Sequence, residues 1–470
     1  MIRACPTLGR WALVIGVAGA VAGCAIKGPP PAADIQREAL THTTVPTDWK
    51  GRGEPAGPVA DLWLDSFNDS VLSALVDEAL LHNADLKIAA ARVEQAAGYV
   101  KVAGASLYPA VSVLGHGGGK SGGDGGLQGI FLNASLELDV WGRLRYGQAA
   151  AQAQFASADA DYAYARQSLA ALVAKSYFLA VEASLQRSIA QDVLGASEEL
   201  LRLAQERFRI GVGDEQAVAE ARANLGTYRD TLRQIDYSRD QALRALELLV
   251  GRYPAAEVAV AQQLAMMPAA APVGMPSELL ERRPDVIAAE RRVAAAFDRV
   301  EEAKAALLPK ISLTAGGSSV SSELIVLKDH SNPVWSLGAN LLAPLYQGGA
   351  LRAQVEIRTA EQKLAVADYA RIAQRAFNEV EGALSAEVAL RDRDAILVEN
   401  IKDNQRALDL AQIQYKVGKI DLRVVEQRQL ALYGARTSRL QVQSEQLAQR
   451  VNLHLALGGS FEPADKTAAR

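Results

Sequence analysis

The feature that most constrains this chain of 470 residues is a long internal repeat. Asp85-Leu86 recurs as Asp285-Val286, 200 residues later. Leu203-Ala204-Gln205 recurs as Leu410-Ala411-Gln412, 207 residues later. Solenoid proteins repeat units of about 20–50 residues many times, whereas this period is long and occurs twice. The sequence therefore predicts one structural unit used twice, which gives two pseudo-equivalent halves of one object.

The N-terminus has the features of an export signal that ends at a lipid-modified cysteine. Arg3 and Arg10 supply positive charge around the start of an apolar run of about 12 residues, which is too short to span a bilayer. The run ends in Val21-Ala22-Gly23-Cys24, which resembles a bacterial lipobox. We expect residues 1–23 to be removed and Cys24 to carry the lipid. Ala25 follows the cysteine, and by resemblance to enterobacterial sorting rules this favours the outer membrane.

The cysteine, histidine and charge content excludes several classes of function. Cys5 leaves with the signal peptide and only Cys24 remains, so we expect no intramolecular disulfide and no cysteine metal site. The five histidines show no metal-ligand spacing, and no nucleophile or acid–base constellation is evident. We therefore expect no metal, no cofactor and no enzymatic activity. A net charge of −4, with both signs interspersed, argues against nucleic-acid binding.

Two long stretches without proline, residues 110–253 and 345–462, predict helical hairpins. Both are rich in helix-forming residues, and each is interrupted by a short glycine turn, at Gly211-Val212-Gly213 and at Gly418. The arm from about Gly142 to Ile210 reaches roughly 100 Å at about 1.5 Å per residue, and arms of this kind pair as coiled coils. The predicted hairpins are at about residues 142–251 and 348–457.

Four shorter segments alternate between apolar and polar residues with a period of two. In one of them Ile311, Leu313 and Ala315 alternate with Ser312 and Thr314. Each segment is about 10 residues long, which is the length that crosses an outer membrane as a tilted strand. The predicted strands are at about residues 109–118, 129–138, 309–318 and 334–343. Aromatic residues that suit an interfacial girdle lie near their ends: Tyr108, Trp141, Trp335 and Tyr346.

The number of strands constrains the assembly. No apolar run after residue 24 approaches the length of a transmembrane helix, so we expect any further membrane crossing to use strands. Four strands cannot close a membrane barrel, and an open sheet edge is not tolerated in lipid. Three copies supply twelve strands and leave an open lumen, whereas the eight strands of a dimer are filled by side chains. The alternative is a periplasmic protein with two small β-hairpins.

These patterns divide the mature chain into a leader segment, two repeats and a tail. Residues 24–60 are rich in proline and glycine and are predicted to be extended. Residues 61–260 and 261–463 form the two repeats, each with a helix, two barrel strands and a helical hairpin. The helix of the second repeat is predicted at about residues 284–308. Residues 464–470 form a polar tail.

The residues at the start of the second repeat carry a family resemblance. Met275-Pro276-Ser277-Glu278-Leu279-Leu280, followed by Arg282-Arg283-Pro284-Asp285-Val286, is similar to the signature of the TolC-like outer membrane efflux family, in its lipoprotein branch. Pro284 suits the first turn of a helix and Asp285 suits its positive start. Leu138-Asp139-Val140-Trp141-Gly142-Arg143 resembles the strand-to-helix junction of that family. The opening pattern of the family is matched at these positions: Trp63, Phe67, Leu72, Leu75, Asn83, Asp85 and Arg92.

The resemblance implies a mixed α/β membrane protein, mostly α. A trimeric 12-stranded outer-membrane β-barrel continues as a long α-helical coiled-coil tunnel in the periplasm. Proteins of this family are passive exit ducts of tripartite pumps. The implied partners are therefore two further copies of the chain, a periplasmic adaptor protein and an inner-membrane transporter that is often driven by protons. The implied cargo is small molecules such as drugs.

Two alternatives to this function stay open from the sequence. The same architecture exports proteins or metal ions in other systems, because the inner-membrane partner chooses the cargo. In a different class, the chain is a periplasmic coiled-coil lipoprotein that spaces the envelope without conducting. The alternating strands favour the duct, since a spacer does not need them.

The resemblance also assigns a narrow periplasmic tip to the turns around Gly211 and Gly418, where glycine reverses the chain at positive φ. In the family a leucine and an acid four residues later line the closed end, and Leu422 and Glu426 keep that spacing on one helix face. Glu220 lies nine residues after Gly211, whereas Glu426 lies eight after Gly418. The second turn is therefore predicted to be one residue shorter.

Three further acids at the tip have two interpretations. Asp214, Glu215 and Asp421 follow the two glycine turns closely. They either make an acidic mouth that favours cations or, for the two aspartates, cap the helices that follow. A solvated tip with no gating role also stays open.

Overall fold

The computed structural model describes residues 27–51, 57–59, 61–116, 128–321 and 334–461. The predicted lipid site at Cys24 and the predicted tail lie outside these residues. The helices are α1 (Ala32–Ala39), α2 (Ser70–His82), α3 (Ala84–Ala105), α4 (Arg143–Arg209), α5 (Glu215–Val250), α6 (Leu279–Arg282), α7 (Pro284–Ala305), α8 (Ala350–Lys416) and α9 (Leu422–Ala456). The strands are β1 (Ala110–His116), β2 (Gln128–Leu138), β3 (Lys310–Ser321) and β4 (Val334–Leu342). A short 3₁₀ helix, Trp63–Phe67, precedes α2.

The repeat of the sequence is also a repeat of helices. α3 and α7 contain 22 residues each and begin 200 residues apart. α4 and α8 contain 67 residues each and begin 207 residues apart. The returning helices α5 and α9 contain 36 and 35 residues. Pro284 opens α7, where its fixed φ suits the first turn and its missing N–H leaves no unpaired donor.

The four strands form one antiparallel sheet in the order β1-β2-β3-β4. β2 and β3 pair along their length, from Gln128 opposite Ser321 to Leu138 opposite Ile311, so the two repeats meet at the centre of the sheet. β1 pairs with β2, and β4 pairs with β3. Within the described part of the chain, each outer strand therefore has one row of backbone N–H and C=O groups without a ladder partner.

The chain divides into two compact units, and each unit combines parts of both repeats. The first unit holds residues 91–160 and 287–372 with the described part of residues 1–44, and it contains the sheet. The second unit holds the described parts of residues 45–90, 161–286 and 373–470. The predicted repeats are therefore units of sequence and not units of packing.

The second unit has a hydrophobic core to which helices of both repeats contribute. Its fully buried members come from α2, α4, α5 and α9, and they include Leu72, Val76, Val173, Phe178, Leu243, Leu246, Leu447 and Val451. Burial of side chains of this size contributes about 1.5–3 kcal/mol each relative to exposure, so this core is a main source of stability.

Two expectations from the sequence need correction. The leader segment is not extended throughout, because residues 32–39 form α1, in which the burial of Ile35 and the ion pair between Arg37 and Asp34 (2.8 Å) favour the helix. An apolar stretch long enough to span a membrane does occur after residue 24, within α4. Of that stretch, 56% is buried inside the protein, which is typical of a core helix and is weak evidence for a membrane span.

Candidate functional site

The sheet of the first unit has one apolar face and one polar face. Residues directly opposite each other in an antiparallel pair point to the same side, so the register assigns every residue to a face. The apolar face carries Val111, Val113, Leu132, Ala134, Leu136, Ile311, Leu313, Ala315, Trp335, Leu337, Ala339 and Leu341. The opposite face carries Ser112, Asn133, Ser135, Glu137, Lys310, Ser312, Thr314, Ser336 and Asn340, with Leu114, Phe131 and Leu342.

The large side chains of the apolar face are highly exposed, which is unfavourable in water. Leu337 is 90% exposed, Leu341 70% and Val113 68%, although all three are strongly hydrophobic. A contiguous apolar surface of this kind marks a membrane or protein contact. Together with the polar opposite face, it matches the wall of a membrane barrel, with lipid on one side and water on the other.

Aromatic residues flank the sheet at the ends of the strands. Tyr108, Trp335 and Tyr346 are 73%, 73% and 88% exposed, and Trp141 is 40% exposed. The indole N–H of Trp141 donates to the backbone carbonyl of Pro309 (2.7 Å), which ties the end of β2 to the start of β3. Exposed aromatic rings with a polar atom suit the boundary between hydrocarbon and water.

The two tip turns, residues 210–214 and 417–421, have the same backbone geometry. Gly211 and Gly418 adopt φ of +79° and +76°, in the left-handed region that glycine reaches without strain. Each turn closes with the same hydrogen bond, Val212 N–H to Arg207 O and Lys419 N–H to Gln414 O, both spanning five residues. α5 begins four residues after Gly211, and α9 begins four residues after Gly418. The prediction that the second turn is shorter is therefore wrong.

The equal turns change which acids correspond between the repeats. With an offset of 207, the position equivalent to Glu426 is Ala219, and the position equivalent to Glu220 is Gln427. The one-residue difference in the spacing of the acids thus comes from their placement along the helices and not from the turns.

The two capping aspartates behave differently. The Asp214 carboxylate accepts a hydrogen bond from the Ala217 backbone N–H (2.7 Å), which is the geometry of a helix N-cap. Asp421 occupies the same position before α9, but its side chain accepts no capping hydrogen bond. Of the two interpretations left open by the sequence, the structure shows the N-cap for Asp214.

Leu422 and Glu426 lie in the contact between helices near the tip. Leu422 is 2% exposed and packs with Leu408, Tyr415 and Val425. Glu426 is half-buried, and burial raises its pKa. A hydrogen bond from Asn224 opposes this rise in pKa, and the neighbouring carboxylate of Glu220 adds to it. Leu422 is thus a core residue of the tip in this conformation, and a gating role for either residue stays a prediction.

Arg207 is a tip residue that the sequence did not single out. Its guanidinium donates to the backbone carbonyl of Tyr415 (2.9 Å) and lies 4.8 Å from the centre of the Tyr415 ring. The contact joins the end of α4 to the end of α8, 208 residues apart. No local pattern marks such a residue, because arginine is common on helix surfaces and its partner is distant in the sequence.

The geometry defines two features: a two-faced sheet with open edges and two matched helical turns. Among the described residues, no group of three or more His, Cys, Asp or Glu side chains is arranged to hold a metal ion.

Comparison with known proteins places this architecture in a family. The family model "Outer membrane efflux protein" matches residues 75–252 and 275–459, one stretch in each repeat. The chain belongs to the outer membrane efflux protein family. It is an outer-membrane efflux channel protein, with strands for the membrane and long helices for the periplasm.

Individual relatives agree over nearly the whole chain. The pyoverdine export outer membrane protein OpmQ of Pseudomonas aeruginosa is 31% identical and aligns with 90% of this chain and 93% of its own length. The cation efflux system protein CusC of Escherichia coli is 29% identical, with 95% and 98% covered. The crystal structure of the open state of the Neisseria gonorrhoeae MtrE outer membrane channel gives a TM-score of 0.79 at 26% identity, with 93% and 98% covered.

Proposed function

We propose that three copies of this chain form a passive exit duct for small molecules in a tripartite efflux pump. The observation that carries the proposal is the two-faced sheet with open edges at β1 and β4. Unpaired backbone groups in lipid cost several kcal/mol each, so these edges must be covered by strands of other copies. Three sheets of four strands close a barrel that is wide enough to conduct.

The apolar face then contacts lipid and the polar face lines the lumen. Small hydroxyl and amide side chains dominate the polar face, which leaves the lumen open and hydrated. The duct performs no chemistry in this proposal and holds no cofactor. It supplies only a path, while an inner-membrane transporter supplies the energy and a periplasmic adaptor joins the two.

The N-terminal segment supports a lipid anchor at the base of the sheet. The Lys27 backbone N–H donates to the hydroxyl of Tyr146 (2.9 Å), in the first turn of α4, and the Lys27 ammonium lies 5.4 Å from the centre of the Phe297 ring. Cys24 precedes Lys27 by three residues in the sequence. Tyr146 follows the end of β2 by eight residues, which suits an acyl chain inserted beside the barrel.

The cargo is proposed only as a class. OpmQ is named for export of pyoverdine and CusC for efflux of cations, although both align with nearly all of this chain. The conserved architecture therefore accommodates different cargo, and the inner-membrane transporter selects it. Export of metal ions by this chain is the second candidate, and the name of CusC is the observation that favours it.

The test of the duct is the mass and conductance of the complex extracted from outer membranes. Native mass spectrometry should find three lipid-modified chains, and the same preparation should give discrete single-channel currents in planar bilayers. A monomer released without detergent, or a trimer that never conducts, would favour a periplasmic spacer.

A matched pair of variants tests the faces of the sheet. Leu313→Arg places a charge on the apolar face and should cost about 2–4 kcal/mol near the bilayer midplane. Thr314→Arg places the same charge on the polar face, one residue along β3, and should assemble normally. The yield of trimer after outer-membrane extraction measures both, and equal yields would mean that the faces are assigned wrongly.

A further inference from the structure

Charged residues are rare in and next to the sheet, which makes the few that exist informative. The described strand residues and their four connections to the helices, residues 106–109, 139–142, 306–309 and 343–349, contain three charged residues. These are Glu137, Asp139 and Lys310, and all three lie at the end of the sheet that continues into helices.

Both acids are neutralised by the first turn of α4. Glu137 pairs with the guanidinium of Arg143 at 2.8 Å, through two nitrogens. Asp139 pairs with Arg145 at 3.0 Å. The Asp139 carboxylate also accepts the backbone N–H groups of Leu144 and Arg145 (3.0 and 2.9 Å), so its oxygens are occupied. Each acid thus contributes little net charge.

Lys310 is different because it has no such partner. Among the described residues, no carboxylate forms an ion pair with its ammonium. The strand register places Lys310 opposite Leu342 of β4 and on the same face as Ser312 and Thr314, two and four residues further along β3. This is the polar face, so Lys310 points to the side that lines the lumen.

We propose that Lys310 forms a ring of positive charge at the periplasmic mouth of the barrel and favours the passage of anionic small molecules there. The proposal rests on the shared trimeric barrel, in which the threefold axis repeats Lys310 three times. Within the strands and their connections, the two acids are paired with Arg143 and Arg145, so Lys310 is the charge that remains on the strands. Arg352 in the first turn of α8 has the same sign.

The radius of the barrel determines whether the electrostatic potential of such a ring extends across the lumen. A strand spacing of about 4.8 Å and a tilt of about 40° give twelve strands a backbone radius of roughly 12 Å. A lysine side chain reaches about 6 Å inwards, so the ammonium groups stand roughly 6 Å from the axis. The screening length is about 8 Å at physiological salt. The charge of the ring therefore acts on a solute anywhere in this cross-section.

The ring is a charged element of the barrel and is separate from the tip turns. Around it, the described polar face carries neutral side chains such as Ser112, Ser312, Thr314 and Asn340, which do not distinguish anions from cations. The Glu137 carboxylate on the same face is paired with Arg143. Lys310 is therefore the strand charge whose sign can be changed without breaking an ion pair of the described residues.

The experiment measures the reversal potential of the detergent-extracted trimer in planar bilayers under a potassium chloride gradient. The variants are Lys310→Arg, Lys310→Gln and Lys310→Glu, with Ser312→Gln as a control that changes volume on the same face. The chloride-to-potassium permeability ratio should stay unchanged for Arg and for the control, fall roughly two-fold or more for Gln, and fall further for Glu.

A second variant keeps the test valid if Lys310→Glu fails to assemble. With Cys24 blocked by lipid, Lys310→Cys provides one free thiol in the mature chain, which can be labelled after assembly with a positive or a negative reagent. The two labels should give opposite shifts of the permeability ratio on the same trimer.

Equal ratios for all charges at position 310, in channels that conduct, would overturn the ring and leave the duct intact. A trimer without currents would instead overturn the duct.

Discussion

At the point where each helical hairpin returns to the start of its repeat, the two halves make the same hydrogen bond with different side chains. The Asn83 amide donates to the carbonyl of Leu249 near the end of α5 (2.9 Å). The Arg283 guanidinium donates to the carbonyl of Ala456 at the end of α9 (3.1 Å). Leu249 and Ala456 are 207 residues apart, so the two carbonyls are equivalent. The repeat conserves the contact and not the chemistry.

The side chains at the two contacts differ in charge. Asn83 is neutral and also accepts the Leu86 backbone N–H (3.0 Å), which caps α3. Arg283 is fully buried and pairs with Asp285 and Glu379, at 2.8 and 2.7 Å. A buried ion network is costly to leave incomplete, whereas a buried amide costs less. The second junction is therefore the more sensitive of the two.

The largest expected effect is at this charged junction. Arg283→Met should lower the free energy of unfolding by about 3–5 kcal/mol, because it leaves the Asp285 carboxylate partly buried without its cation. Asn83→Ala should lower it by about 1–3 kcal/mol, the cost of an unpaired buried carbonyl. Thermal melting of the extracted trimer compares them, and a larger loss for Asn83→Ala would reverse the ranking of the junctions.

The two repeats also differ two residues earlier in α5 and α9, at Glu247 and His454, which are again 207 residues apart. Burial alone raises the pKa of Glu247, but hydrogen bonds from the backbone N–H groups of residues 255–258 outweigh it and lower the pKa. His454 stacks on Trp63 at 5.8 Å, and burial, helped by the charge of Arg450, lowers its pKa to about 4. Both positions favour their deprotonated forms in the folded protein.

These pKa values predict acid sensitivity in two separate windows. Between pH 6.5 and about 4 the unfolded chain binds a proton at His454 that the folded protein does not, so the free energy of unfolding falls as pH falls. Glu247 lowers the free energy of unfolding further only below pH 4.5, which is the pKa of this side chain in the unfolded chain. Melting temperatures at pH 7.5 and 5 should therefore differ in the wild type.

A matched pair of variants tests whether His454 causes the difference in melting temperature between pH 7.5 and 5. His454→Phe keeps the stacking on Trp63 and removes the titrating group, so the difference in melting temperature between pH 7.5 and 5 should shrink. Glu247→Gln should lower stability at both pH values and leave the difference intact. An unchanged difference in His454→Phe would show that other groups dominate this window.

The helix caps at the tip give a smaller and more local contrast. Asp214→Ala removes a capping hydrogen bond and should cost about 1 kcal/mol, whereas Asp421→Ala removes none and should stay within about 0.5 kcal/mol. Amide hydrogen exchange in the first turn of α5 and of α9 measures the two effects separately. A similar increase of the exchange rate in α5 of Asp214→Ala and in α9 of Asp421→Ala would mean that Asp421 also caps its helix in solution.

The sequence predicted the elements of this fold well because they depend on local signals. The absence of proline and the glycine turns at Gly211 and Gly418 mark the hairpins, and the alternation around Leu313 marks the strands. α1 was missed because it has eight residues and is stabilised by the burial of Ile35, which is a tertiary effect.

The side-chain contacts were less predictable because they join distant positions. Arg283 was visible as part of a motif, but its complete burial depends on Glu379 and Ala456, 96 and 173 residues away. The tip register is a related case. The spacing of Glu220 and Glu426 from their turn glycines predicts turns of different length, whereas the two turn backbones are equal in length.

The smallest expected effect on stability, and the one that bears on gating, is at Glu426. Its equivalent in the first repeat is Ala219, so the carboxylate is present in only one of the two hairpins. Glu426→Ala removes a half-buried carboxylate of α9 that interacts with Asn224 of α5 near the tip. We expect higher single-channel conductance with an unchanged yield of trimer. Glu220→Ala is the control, since Glu220 bonds only Gln216 of its own helix among the described contacts and should leave conductance unchanged. Equal conductance in the wild type and in Glu426→Ala trimers would remove Glu426 from the gate, and the asymmetry of the two tips would then concern folding alone.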